Sequence, residues 1–145
     1  MTNASLDEFA ERMIEKGRIG KYDVQDLQRE ILPDGVMTRA EADILITLDR
    51  DAESVHFSWS AFFISALTEF AVWQSGRPGY IDADKSEWLL GALTGHGATD
   101  RARRALVAIA QEAECFDEAF FAGSKPKAPV RERRDRGMQE LSLAA

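Results

Sequence analysis

The chain has 145 residues, of which 45% are hydrophobic and 30% charged. This is the profile of one globular domain with a sizeable core, and it sets aside the disordered and fibrous classes. Its formal net charge of −7 is uneven. Residues 1–123 hold 12 basic and 22 acidic groups, a net of −10, while 124–145 hold 6 and 3, a net of +3; an acidic body repels phosphates, so nucleic acid is not an expected partner.

No apolar run approaches the ~20 residues needed to cross a bilayer, so no membrane partner is expected. The start, MTNASLDEF, has neither a basic n-region nor an apolar h-region, and the expectation is a cytoplasmic protein without a signal peptide. Ser5 with Glu8 reads as a capping box opening a helix to Lys16, closed by Gly17, with Leu6, Phe9 and Met13 on its apolar stripe. A second helix over about 23–32 carries Val24, Leu27, Ile31 and Leu32 on one side until Pro33, Asp34 and Gly35 stop it. Thr38 with Glu41 is another capping box, and Ala42, Leu45 and Ile46 carry that third helix to about Arg50. Asp51 to Phe57 reads as a polar connection.

Ser58 to Ser75 is the stretch around which the rest is arranged. Trp59, Phe62, Phe63, Ala66, Leu67 and Phe70 recur at helical spacing, and so little polar surface interrupts them that neighbours must cover the helix. A Gly/Pro turn follows at 75–80. Asp82 caps a helix through Trp88, Leu89 and Leu93 to Gly95, and Thr99 or Asp100 starts another through Ala102, Leu106 and Ile109. A last short helix is expected over 116–121. From Ser124 the chain reads KPKAPVRERRDRG, with too little apolar surface to offset its ordering entropy. The expected fold is all-α: a compact bundle of six or seven helices around a central buried helix, one domain over 1–123 and a flexible charged tail over 124–145.

Few residues suggest chemistry. Cys115 is the single cysteine; it sits in a short apolar stretch and reads as a buried, inert thiol. His56 and His96 lie in separate turns and read as capping or surface groups. There is no HExxH, CxxC, GxSxG or phosphate-binding glycine loop, so no catalytic residue and no enzyme are expected. Arg101, Arg103 and Arg104 read as a solvated face, with an ion-pair network or a partner contact as the alternative. A glycine followed three residues later by a capping residue occurs at Gly35, Gly79 and Gly97. With Gly35 at the sixth position of a 12-residue EF-hand loop, Glu30, Asp34 and Glu41 fall at positions 1, 5 and 12, a partial divalent-cation site; the same register puts Lys85 and Arg103 at the last position of the other two, which are degenerate EF-hand-like turns. Trp59 and Trp73, at the two ends of the central helix, are the places to expect exposed aromatic surface for a partner.

The segments ILPDGVMTRAEADILITL, WSAFFISALTEFAVW and GYIDADKSEWLLGALTGHGATD together resemble the tellurite-resistance TerB-like helical family, over about 24–121. That resemblance implies a compact all-α domain in a bacterial protein linked to stress responses, with an acidic metal site carried over only to Asp34 and Glu41. The expected function is a non-enzymatic accessory protein acting through protein contacts, with a protein partner or a second copy of itself. The alternative is a divalent-metal-binding or metal-sensing module using Glu30, Asp34 and Glu41; otherwise no cofactor is expected.

Overall fold

The computed structural model describes residues 4–95 and 97–117. Among the described residues six α-helices follow one another: α1 (Ala4–Lys16), α2 (Lys21–Asp26), α3 (Arg39–Asp51), α4 (Phe57–Glu69), α5 (Ala83–Thr94) and α6 (Asp100–Glu112). Two of them end in a π-helical turn, α2 through Leu27–Ile31 and α4 through Phe70–Gln74. The helical, all-α expectation therefore holds. The tail over 124–145, His96 and most of the last expected helix lie outside the described residues. Phe116, its first residue, belongs to a strand.

Four strands of two residues punctuate the helices: β1 (Arg18–Ile19), β2 (Ser54–Val55), β3 (Tyr80–Ile81) and β4 (Cys115–Phe116). They pair in parallel as β1 with β2 and β3 with β4. Two residues are too few for alternation to register, which is why no strand is expected from the sequence.

These ladders reveal that the chain repeats one unit. The Gly17 carbonyl accepts from the N–H groups of Glu53 and Ser54, and the Gly79 carbonyl from those of Glu114 and Cys115; Ile19 then accepts from His56 as Ile81 does from Asp117. Both glycines stand at positive φ, 81° and 79°, the left-handed conformation that L side chains resist. Thr38 and Thr99 cap α3 and α6 in the same way, accepting from Glu41 N–H and Ala102 N–H. The order helix, strand, helix, helix, strand thus runs once from α1 to β2 and again from α4 to β4. The true repeat is Gly17 with Gly79, rather than the series Gly35, Gly79 and Gly97.

α4 belongs to the second unit but leans on both. It packs most extensively on α6 and also against α2 and α3. Trp59, Phe63, Leu67, Phe70, Ala71 and Val72 point into a single core shared with Leu6, Phe9, Leu45, Leu89 and Ile109. Trp59 and Phe63 stack at 5.6 Å between ring centroids. Fully burying each such side chain contributes about 1.5–3 kcal/mol. The helix starts one residue before the expected Ser58, because the His56 ring caps it: Nδ1 accepts from the Ser58 N–H at 3.1 Å. At the N-terminus, Ser5 lies inside α1 instead of capping it. Between the units, the Arg39 guanidinium lies 4.7 Å from the centroid of the Trp88 ring, whose N–H donates to Asp43 at 2.8 Å, and this ties α3 to α5.

Candidate functional site

The three expected metal ligands do different work. Glu41 is 7% exposed and acts at the start of α3, where its Oε1 accepts from the Met37 N–H at 2.8 Å while its own N–H donates to Thr38 Oγ1. Glu30 and Asp34 are exposed, on the π-helical turn after α2 and on the loop beyond it. Among the described residues no group of three or more His, Cys, Asp or Glu is placed to hold a metal ion. The carboxylate that best fits position 12 of a calcium loop is thus committed to a helix cap.

Lys85, at the last position of the second glycine turn, is a buried fastener. Its ammonium, 3% exposed as a residue, donates to the carbonyls of Ala71, Ser75 and Tyr80 at 2.7, 2.6 and 2.8 Å. The side chain closes the end of the π-helical turn onto β3, tying three backbone carbonyls to one ammonium. Burial pushes the Lys85 ammonium below the usual lysine value, the nearby Asp82 charge draws it partly back, and Arg39 pushes it further down.

Trp59, expected at an exposed end, is instead 0% exposed. Its N–H donates to Asp49 Oδ1 at 2.9 Å, so the ring serves as a buried strut. Asp49, itself 1% exposed, also accepts from Thr99 Oγ1 and from the Arg101 guanidinium, joining α3, α4 and α6 at one carboxylate. Arg101 therefore takes the alternative reading, an ion-pair network, while Arg103 and Arg104 remain exposed. Trp73 is half-buried at the far end, its N–H donating to Glu112 Oε2 at 3.1 Å. Cys115, expected to be buried, is exposed in β4.

The exposed apolar surface lies elsewhere. Phe57, the first residue of α4, is 81% exposed, with the His56 ring against it at 4.3 Å. It stands at the mouth of a concavity of about 780 Å³ between α4, α2 and the loop 34–36, walled by Val24, Val36 and Phe62. A second concavity of about 500 Å³ lies between α4 and α6, with Trp73, Ala108 and Glu112 on its walls. Both are lined by Ala61, Ser65 and Glu69, so these two hollows flank one low ridge on α4. Small side chains at four-residue spacing keep that ridge flat. The whole forms an open trough along the outer side of the central helix.

Sequence reasoning missed this surface because Phe57 falls in a stretch read as a polar connection. The signal was present: Phe57, Ala61, Ser65 and Glu69 follow one another at intervals of four on the side opposite the aromatic stripe. Asp49 had a signal as well, being an acid four residues after Leu45, at the end of an otherwise apolar helical stripe.

No helix among the described residues is long and apolar enough to cross a membrane. No protein-family model, no curated protein and no solved structure matches the chain.

Proposed function

We propose that the chain is a non-catalytic accessory protein that works by binding another protein, which lays a helix into the trough along α4. The observation that carries this reading is Phe57, an aromatic ring 81% exposed at the edge of an apolar concavity. Large apolar side chains that a fold leaves uncovered beside a groove are what helix-in-groove recognition uses as anchors. Burial of such a ring against a partner contributes about 1.5–3 kcal/mol. The TerB-like relationship, and with it a place in a bacterial stress response, belongs to the same proposal and rests on the Asp34-Gly35 turn and the helix order.

A divalent-cation module built on Glu30, Asp34 and Glu41 has less behind it, since Glu41 is already engaged by the Met37 N–H. Photo-crosslinking tests the favoured reading. With a photoreactive analogue at position 57, the account expects one heavier adduct in cells, its other half a different protein, and loss of that adduct when Ala61→Trp fills the trough. Absence of any adduct, or an adduct made only of two copies of this chain, would contradict it.

A further inference from the structure

The charges along the trough narrow the choice of partner. Its lining carries three carboxylates, Asp34, Glu69 and Glu112, against one ammonium, Lys21. Their placement is directional. α2 and α4 both begin just after the β1–β2 ladder, where the His56 N–H donates to the Ile19 carbonyl, so Lys21 lies toward the Phe57 end. Glu112 meets Trp73 at the opposite end, and Glu69 precedes Trp73 by one helical turn. α4 with its π-helical turn runs 18 residues from Phe57 to Gln74, which is roughly 27 Å of helix.

Resting on the protein-binding reading above, we infer that the occupant is a cationic amphipathic helix of another protein. Its apolar face covers Phe57 and the Ala61 and Ser65 ridge, and its basic residues lie over Glu69 and Glu112. Complementary charge at the rim of an interface selects partners and speeds encounter more than it adds affinity. The 1–123 body of a second copy fits poorly, because its 22 acidic and 12 basic residues bring carboxylates to carboxylates.

Two synthetic helices of about 18 residues, the length that spans this trough, test the inference; they share a Leu/Ala face and carry Lys or Glu on the other. Each is titrated calorimetrically into the full chain. The lysine-faced peptide is expected to bind at least about tenfold tighter than the glutamate-faced one. Glu69→Lys should remove most of that preference, while Glu15→Lys, the same change of net charge on α1, should leave it intact. Equal loss from both substitutions would overturn the site, because attraction to the net charge alone would explain the result. Equal affinity for both peptides would overturn the cationic partner and leave the protein-binding reading standing. Failure of both peptides to bind would count against that reading itself.

Discussion

Asp49 is the residue on which three helices agree. A carboxylate with 1% exposure is tolerable only because Trp59, Thr99 and Arg101 all donate to it. Removing it leaves a guanidinium and two other donors facing a void. Asp49→Ala should therefore cost about 3 kcal/mol or more, as breaking a buried pair does, and Asp49→Asn about 1–3 kcal/mol, both read by urea denaturation. An Asp49→Ala variant as stable as the parent would remove the hub from the account.

Asp23 supplies the pH dependence at this scale. Burial pushes its carboxyl up, but the Lys16 ammonium at 2.7 Å, the Gly20 N–H at 2.8 Å and the charges of Lys16 and Arg12 outweigh that and hold it below the ordinary 3.8. Because the folded value lies below the unfolded one, the unfolded chain binds the proton more tightly. The stabilisation is present above pH about 3.8 and is lost as pH falls below that through the folded value. The thermal-stability gap between the parent and Asp23→Asn should accordingly be widest near neutrality and close in acid. A gap that widened below pH about 3.8 would reverse the sign argued here.

Elements were legible in the sequence where a helix carried both a stripe and a cap. α3 shows this, with Thr38 and Glu41 at its start and Leu45 and Ile46 inside. The strands were not legible, because two-residue ladders are specified by the turn before them rather than by their own side chains. The repeat they belong to was nevertheless written out, as Asp51-Ala52-Glu53-Ser54-Val55 and Glu112-Ala113-Glu114-Cys115-Phe116. Each glycine opposite these segments faces a glutamate: a Cβ on Gly79 would come within 3.0 Å of Glu114 Oε1, one on Gly17 no closer than 3.5 Å to Glu53. Both substitutions meet the left-handed penalty of about 1–2 kcal/mol, and Gly79→Ala adds a clash. Thermal melts should rank Gly79→Ala below Gly17→Ala, with both below the parent; the opposite order would mean that Glu114 moves aside freely.

At the scale of the molecule, the central helix has two sides with separate duties. The inner side, Phe63, Leu67 and Phe70, was readable as core from spacing alone, and it is core; Trp59, expected at an exposed end, joins it. The outer side was invisible to that reading because a trough is a property of what neighbouring helices leave uncovered. Ala61 and Ser65 become the low ridge between its two hollows only once α2 and α6 stand beside them. The spacing of Glu30, Asp34 and Glu41 along the loop was visible in the same way, whereas the hydrogen bond that Glu41 accepts from the Met37 N–H was not. A rival surface exists on the first unit, a concavity between α1 and α3 lined by Ala10, Ile14 and Ile44, where Ile14 is exposed.

Amide hydrogen exchange on the full chain, with and without the lysine-faced peptide, separates the two surfaces most directly. Slowed exchange is expected in α4 and in the facing parts of α2 and α6, with α1 unchanged. Protection confined to α1 and α3 would contradict it.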